Sequence, residues 1–311
     1  MTGGTGTGNN GQGRPAPKLP IETVVLDVDG TILRPNLTIH RRTVEAVAAC
    51  RARGVLVMVA TGRRLATARG YAREVGADLE LVALDGAILL DGRHSVVRER
   101  PIDAEAAHRI LAWVREMDVV VAAQTREHVY GSRRRAPWQV LREASRRGVF
   151  RTLAGTRHTL WEIPNFRAVR SLDAQAEAVF KISPLGPREA VLALRERIES
   201  ATDLPVRLTT PGSGYEIVAR GVSKGEGLIW LLGQLGRDPA HTLAIGDGWN
   251  DVEMFDRVGH PVAMQNAHPG VRARARWVTA HVEEEGVAEV LEMVTAGSWP
   301  PEDGDLGGPN R

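Results

Sequence analysis

Short apolar runs alternate with amphipathic stretches near the N-terminal end of the chain. Uninterrupted apolar runs are typical of strands covered on both faces, whereas apolar residues three or four apart indicate helices. The pattern predicts three strands and the two helices between them, at 23–26, 38–53, 55–60, 65–75 and 81–84. Because strands that alternate with helices indicate βαβ units, we expect a parallel sheet.

The pattern changes after about residue 88 and returns near residue 216. The intervening stretch carries longer and more polar elements, with helices predicted near 103–117 and 187–200. The later stretch again has buried apolar runs, and it predicts a helix and three strands at 228–235, 243–245, 261–264 and 277–278. The similar patterns on both sides of the interruption indicate one sheet built from two separated segments.

These elements predict an α/β fold, with a Rossmann-like doubly wound parallel-sheet core and a second α/β domain inserted into it. We expect the core to comprise residues 20–88 and 216–296, and the inserted domain to comprise residues 89–215. Residues 1–19 are mostly glycine and polar residues, and 297–311 begins with Gly-Ser-Trp-Pro-Pro, so we expect two disordered tails.

The composition is that of an ordinary globular protein of two domains, with 311 residues, 43% apolar and 25% charged. No apolar stretch approaches the ~20 residues of a membrane span, so we expect no membrane partner. The single cysteine, Cys50, allows no internal disulfide and fits a cytoplasmic location. The net charge of +2 is too small to indicate a nucleic-acid partner.

Two carboxylates, Asp27 and Asp29, follow directly after the first predicted strand, and Gly30 indicates a sharp turn there. Ligands of open α/β sheets bind at the carboxyl ends of the strands. Two like charges about 4 Å apart repel by about 4 kcal/mol at an effective dielectric near 20. A hard cation or a shared proton must offset that cost, so the pair indicates a working site.

Three further polar motifs lie at strand ends or at helix starts. Thr61-Gly62-Arg63 ends the second strand, and Lys224 precedes the apolar helix near 228–235. Asp247 and Asp251 follow the strand at 243–245, and they share one face if a helix begins there. The carboxylates suit Mg²⁺, and the ammonium, hydroxyl and helix-start amides suit a phosphate. This mixture favours phosphoryl transfer, in which positioning and charge neutralisation do most of the work.

The four motifs, in this order, resemble those of the haloacid dehalogenase-like (HAD) phosphatase superfamily. The long insert between the second and third motifs resembles the C2-type cap domain of its Cof-type branch. Further similar segments are Asp85-Gly86-Ala87, 221–225, 264–267 and 285–288, and the resemblance covers roughly residues 21–294. It implies a Rossmann-like core with an inserted α/β cap, and a Mg²⁺-dependent hydrolase.

The resemblance implies that Asp27 attacks the phosphorus atom and also binds Mg²⁺. Asp29 would protonate the leaving oxygen, later activate water, and bind the metal through its main-chain carbonyl. Asp247 would supply the second carboxylate to the metal.

Other implied roles concern the phosphate. Thr61 and the Gly62 amide would hold its oxygens, and Lys224 would balance the charge of nucleophile and phosphate. Asn250 would contact the phosphate region. Asp251 would act from behind these residues, orienting either metal-bound water or Lys224.

Two features leave alternatives open. Asp85 stands where the family often has Asn, and this extra carboxylate could alter substrate approach or simply cap a turn. The stretch 126–157 carries nine arginines against two glutamates, which could steer an anionic substrate or contact nucleic acid. Few aromatic residues are interleaved with these arginines, so we predict a solvated helix face instead.

The expected function is therefore a phosphatase that hydrolyses a small phosphorylated metabolite, a sugar phosphate or similar monoester, through an aspartyl-phosphate. One alternative is a sugar phosphomutase, which would return the phosphoryl group to the sugar. Another is a non-catalytic sugar-phosphate-binding protein on the same scaffold. The chain's motifs do not identify the substrate or the oligomeric state.

Overall fold

The computed structural model describes residues 21–131, 166–168, 177–210 and 214–301, and in these it contains two sheets. Strands and helices are numbered along the chain. The larger sheet has eight strands: β1 (Thr23–Leu26), β2 (Leu56–Ala60), β3 (Leu81–Ala83), β4 (Ile88–Leu90), β5 (Val96–Glu99), β12 (Thr242–Gly246), β13 (His260–Met264) and β14 (Trp277–Thr279). The smaller has six: β6 (Val120–Gln124), β7 (Val129–Gly131), β8 (Phe166–Ala168), β9 (Lys181–Leu185), β10 (Val206–Leu208) and β11 (Ile217–Ala219).

The larger sheet has the order β14-β13-β12-β1-β2-β3-β4-β5. Its first six strands are parallel, and β4 and β5 add to it antiparallel. From β1 to β3, successive strands are therefore added on one side of β1, and from β12 to β14 they are added on the other side. The change of direction falls between β1 and β12, which is where open α/β sheets bind their ligands.

Helices cover both faces of the parallel strands because alternate residues of each strand point to opposite sides. Val24 and Leu26 of β1 lie in the same apolar cluster as residues of α1 (Arg41–Ala52), α2 (Leu65–Val75) and α8 (Gly286–Ala296). Val25 points the other way, toward α5 (Lys224–Gln234), α6 (Val252–Phe255) and α7 (Pro269–Arg272). The doubly wound parallel-sheet core predicted from the sequence is confirmed.

The smaller sheet has the order β10-β11-β9-β6-β7-β8 and is antiparallel except for the pair β7–β8. One of its faces packs on α3 (Ala104–Glu116) and α4 (Arg188–Ser200) through an apolar cluster that includes Val121 and Ile182. Lys181 and Ser183 alternate with Ile182 along β9, so they lie on the opposite, polar face. Within the described residues, no helix combines the length and the hydropathy needed to cross a bilayer.

Sheet membership differs from the predicted domain limits at 88/89 and 215/216. β4 begins at residue 88 and β5 lies beyond it, but both extend the larger sheet, because β4 turns back beside β3. β11 lies beyond residue 215 but pairs with β9 and β10 of the smaller sheet. The chain thus passes between the sheets after Glu99 and after Ala219.

The tail predicted for 297–311 is wrong for its first residues. Trp299 is 3% exposed, and its Nε1 donates a hydrogen bond to Nδ1 of His260 over 3.1 Å. Its ring also packs against Trp277, so apolar burial fixes this segment although glycine and proline surround it. Residues 1–20 and 302–311, and most of the arginine-rich stretch 126–157, lie outside the described residues.

Candidate active site

The carboxyl ends of four adjacent strands bring together polar side chains from distant parts of the chain. Asp247, Asp27 and Thr61 directly follow β12, β1 and β2, and Asp85 follows shortly after β3. Lys224, the first residue of α5, reaches the same edge. Gly30 allows the close approach: a Cβ on it would lie 2.1 Å from an Asp247 oxygen, and its φ is +72°.

Lys224 links the first and the last motif through buried ion pairs. Its Nζ donates to Asp27 Oδ1 over 2.6 Å and to Asp251 Oδ1 over 2.7 Å. All three residues are at most 4% exposed. Burial alone would lower the pKa of Lys224, but the two carboxylates raise it above its ordinary value. The lysine therefore remains a cation that neutralises charge beside Asp27.

Asp251 reaches this lysine by a different geometry from the predicted one. The helix expected near Asp247 begins only at Val252, so the two acids do not share a helical face. Instead Asp251 Oδ2 accepts hydrogen bonds from the backbone N–H groups of Asp247 (3.0 Å) and Gly248 (2.9 Å). Asp251 thus holds the loop that carries Asp247 and, with its other oxygen, holds Lys224.

Carboxylate oxygens of Asp27, Asp247 and Asp251 lie within 4.8 Å of one another. Burial, together with Asp251, raises the pKa of Asp247 to about 7. Burial and the same neighbour also raise the pKa of Asp27. The single positive charge of Lys224 does not balance the negative charge of this cluster. The hard oxygen donors of the cluster fit a divalent cation such as Mg²⁺. Since Asp251 is already bonded to Lys224 and to two amides, Asp27 and Asp247 are the carboxylates suited to hold the ion.

Asn266 fixes the orientation of Asp247. Its Nδ2 donates to Asp247 Oδ2 over 3.1 Å and to the Gly30 carbonyl over 2.8 Å. Its Oδ1 accepts from the Val282 N–H over 3.0 Å. These three bonds leave the amide one orientation, so the two loops that carry the acids are connected through one side chain.

Asp29 lies apart from the buried acids because β1 ends at Leu26 and the chain turns before it. Its side chain is 57% exposed, and the Arg63 guanidinium donates two hydrogen bonds to its carboxylate, of 2.7 and 2.5 Å. Arg63 also lies over the ring of Tyr71, 4.9 Å from its centroid. Nothing in the sequence pattern marked the contact between Arg63 and Asp29.

Thr61, Gly62 and Asn250, the predicted phosphate contacts, lie beside one another at this edge. Thr61 is fully buried, and its hydroxyl accepts from the Arg63 N–H over 3.2 Å. Asn250 Nδ2 donates to Asp85 Oδ1 over 2.9 Å. A Cβ on Gly62 would lie 3.0 Å from both oxygens of Asp85, so that carboxylate packs directly against the turn.

Lys181 is a further residue at this edge that the sequence reasoning missed. Its Nζ donates to Gly62 O (2.6 Å), Glu216 Oε2 (2.7 Å) and Asp85 Oδ2 (3.1 Å). Burial would raise the pKa of Asp85, but Lys181 and Lys224 hold it well below its usual range. One signal was available: only three of the 40 basic residues are lysines, and the two described ones, Lys181 and Lys224, both lie here.

Comparisons with known proteins agree with this architecture. Residues 24–291 match the family described as haloacid dehalogenase-like hydrolase. Phosphatase YwpJ of Bacillus subtilis (strain 168) is 25% identical over 283 residues, which cover 88% of this chain and 99% of that protein. The HMP-PP phosphatase of Serratia proteamaculans (strain 568) is 27% identical over 273 residues, covering 86% and 92%.

The fold is also that of solved structures. A haloacid dehalogenase-like hydrolase from B. subtilis superposes with a TM-score of 0.76 at 22% identity, covering 87% of this chain and 99% of that one. The similarity therefore includes both sheets and is not limited to the parallel core.

Proposed function

Because the chain belongs to the haloacid dehalogenase-like hydrolase family, we propose that it hydrolyses a small phosphorylated metabolite with Asp27 as nucleophile. Membership makes it a phosphoric monoester hydrolase of the Cof-type branch, whose full-length relatives include named phosphatases. The observation that best supports Asp27 is its buried carboxylate, 2.6 Å from Lys224 Nζ at the end of β1. Lys224 opposes the rise in the pKa of Asp27 that burial causes, and in this way it favours the ionised, nucleophilic form of the carboxyl group.

The proposed reaction has two steps. In the first, an Asp27 oxygen bonds to phosphorus while the bond from phosphorus to the ester oxygen breaks, and Asp29 gives that oxygen a proton. In the second, Asp29 takes a proton from water, whose oxygen bonds to phosphorus as the bond to Asp27 breaks. The exposed position of Asp29 supports these roles, because the leaving alcohol and the water both arrive from solvent. Its pairing with Arg63 fixes the carboxylate in one orientation.

The other predicted residues would hold the phosphoryl group. We assign its oxygens to the Thr61 hydroxyl, the Gly62 N–H and the ammonium of Lys224, with Asn250 nearby. Thr61 and Gly62 follow the strand next to β1, and Lys224 already contacts Asp27. Phosphoryl transfer needs such fixed donors more than it needs covalent chemistry beyond the nucleophile.

We propose that Asp27, Asp247 and the Asp29 carbonyl hold one Mg²⁺, and that Asp251 supports them from behind. The excess of buried carboxylates over ammonium groups, with the raised pKa of Asp247, supports this assignment. When bound, the ion would supply positive charge to the phosphoryl oxygens and to the nucleophile. Asp251 would act only by holding Lys224 and the loop, as the three hydrogen bonds to its carboxylate oxygens suggest.

The substrate class proposed is a sugar phosphate or a similar small monoester. The similarity to a relative named for HMP-PP supports a small phosphorylated metabolite, while the choice of a sugar phosphate remains part of the proposal. The cytoplasmic location predicted from the single cysteine also stays a prediction.

Release of inorganic phosphate from an aryl phosphate tests the proposal, measured with Mg²⁺ and again with excess EDTA. We expect Asp27→Asn to abolish turnover, whereas Asp203→Asn, at an exposed position paired with Arg109, serves as the matched control and retains it. A screen of phosphorylated metabolites then identifies the substrate, and isomerised sugar phosphate without free phosphate would indicate a mutase. Undiminished turnover by Asp27→Asn would refute the assignment of the nucleophile.

A further inference from the structure

Lys181 is a buried cation that the proposed reaction does not use. It is the first residue of β9, lies on the polar face of the smaller sheet, and is only 3% exposed. An ammonium group has three N–H donors, and here three acceptors receive them: one backbone carbonyl and two carboxylates. The compact ammonium suits this converging set better than the wide fork of an arginine would.

The three acceptors belong to different parts of the fold. Gly62 and Asp85 lie at the edge of the larger sheet, after β2 and β3. Glu216 immediately precedes β11 of the smaller sheet, and its Oε1 also accepts from the hydroxyl of Ser183 over 3.0 Å. Lys181 therefore joins the smaller sheet to the two turns that border the phosphate site.

Those two turns are themselves tightly joined. The Asp85 N–H donates to the Thr61 carbonyl over 3.1 Å, and the Leu84 N–H donates to the Arg63 carbonyl over 3.0 Å. Leu84 and Asp85 have φ values of +49° and +55°, in the left-handed region that non-glycine residues rarely adopt. Such a conformation persists only where the surroundings hold it, and it is found at functional sites.

We propose that Lys181 is a positioning residue. It couples the packing of the smaller sheet against the larger one to the binding of phosphate at Thr61-Gly62. The inference rests on the proposed function, because it takes this turn to be the phosphate site. The ammonium acts in two ways there. It holds the carbonyl of the flexible Gly62, and it neutralises Asp85 beside an anionic ligand.

The coupling works in both directions. If the smaller sheet moves away, Lys181 leaves with β9, and Asp85 loses its directly bonded cation beside the Gly62 turn and Asn250. The carboxylate charge repels a phosphoryl group. Linkage is reciprocal, so packing of the two sheets raises the affinity for phosphate by a certain factor, and bound phosphate favours the packed arrangement by the same factor.

Inorganic phosphate is the probe that tests this inference, with its affinity measured by isothermal titration calorimetry in the presence of Mg²⁺. We expect Lys181→Met to weaken phosphate binding by at least about tenfold, as the loss of a charged hydrogen-bond partner predicts. With the aryl phosphate, KM should rise more than kcat falls, because Lys181 contacts neither the nucleophile nor the proton donor.

Two double variants separate positioning from general stability. Lys181→Met leaves Asp85 and Glu216 without their cation, and each double variant neutralises one of them. We expect Lys181→Met with Asp85→Asn to recover most of the phosphate affinity, because the repelling charge is gone and the Asn oxygen can still accept from Asn250. Lys181→Met with Glu216→Gln should not recover it, since the charge of Asp85 would still lie against the Gly62 turn. If the single variant does not fold, the two doubles alone decide.

Arg126→Met is the control for the single variant. Arg126 joins the β6–β7 turn to Glu99 over 3.4 Å at an exposed site, and its loss should leave phosphate affinity unchanged. Wild-type affinity in folded Lys181→Met, or equal recovery by both doubles, would overturn the inference and leave the proposed function intact. A wild-type protein that neither binds phosphate nor turns over the ester would overturn both.

Discussion

Two buried lysines lie at the same edge of the larger sheet. Asp85, beside one of them, differs in electrostatic state from Asp27 and Asp247, near the other. Beside Lys181, the pKa of Asp85 is held well below its usual range by Lys181 and Lys224. Beside Lys224, burial and neighbouring acids raise the pKa of Asp27, and that of Asp247 to about 7. The Asp85 charge is already compensated, whereas the acids around Lys224 still lack positive charge.

This contrast separates two uses of a buried ion pair. An acid that is compensated within the fold stabilises structure, as Asp85 does between the Gly62 turn and Lys181. A cluster that keeps excess negative charge needs a proton or a further cation to offset it, and a bound metal ion supplies that cation. The following experiments test that difference.

Lys224→Met should reduce kcat for the aryl phosphate by at least about a hundredfold, because a donor next to the reacting group is lost. It should also destabilise the fold by about 3–5 kcal/mol, since Asp27 and Asp251 would remain buried without their cation. Steady-state kinetics and urea unfolding measure the two effects. If Lys224→Met lost affinity for phosphate but kept its kcat, Lys224 would act as we propose for Lys181. The contrast between the two lysines would then fail.

In metal-free protein, neutralising Asp85 and neutralising Asp247 should change the stability of the fold in opposite ways. Asp85→Asn removes a compensated charge, so we expect a loss of about 2 kcal/mol from its weakened charged hydrogen bonds. Asp247→Asn removes an uncompensated charge, so the metal-free variant should be at least as stable as the wild type. Urea unfolding in EDTA compares them, and a larger loss for Asp247→Asn would contradict the charge assignment.

Mg²⁺ should stabilise the wild type against thermal unfolding, and Asp247→Asn should lose most of that stabilisation. A ligand that binds only the folded state at a hundred times its Kd adds about 2.7 kcal/mol. Asp85→Asn is the matched control and should keep the effect, because its carboxylate is outside the acid cluster. Equal Mg²⁺ responses in both variants would place the ion elsewhere.

We expect the smallest effect at His260. This residue lies at the amino end of β13, away from the candidate active site. Burial lowers its pKa below the ordinary 6.5, and its Nδ1 accepts from Trp299, which requires the neutral ring. Because the folded state disfavours the proton, stability is full above pH 6.5 and falls as the pH drops through the folded pKa. Trp299→Phe should cost about 1 kcal/mol at pH 8 and flatten this pH dependence. An unchanged profile in urea unfolding would mean that the hydrogen bond from Trp299 does not contribute to the pH dependence.

The sequence allowed the parallel core and most of the site to be predicted because both depend on local patterns. The apolar runs identified the strands, and the carboxyl ends of parallel strands meet at one edge, which brought Asp27 and Asp247 together. Lys181 could not be predicted in this way. Its contact with Gly62 spans 119 residues of sequence and depends on how the smaller sheet packs against the larger one.

Loop geometry explains the other differences. Asp251 reaches Lys224 because the loop at 247–251 folds back on its carboxylate, which a helical spacing rule does not describe. Arg63 pairs with Asp29 because each belongs to the turn after a different strand. Trp299 is buried although its neighbours resemble a tail, since a single large apolar side chain can fix such a segment.

Trapping the phosphoryl group on the protein is the decisive test of Asp27 as the nucleophile. The protein is mixed with excess aryl phosphate and Mg²⁺, quenched in acid, and analysed by peptide mass spectrometry. We predict one phosphoryl group on Asp27, absent in Asp27→Asn and accumulated in Asp29→Asn, because the second step needs Asp29 as base. Phosphate release with no label on Asp27, or a label on another residue, would contradict the account.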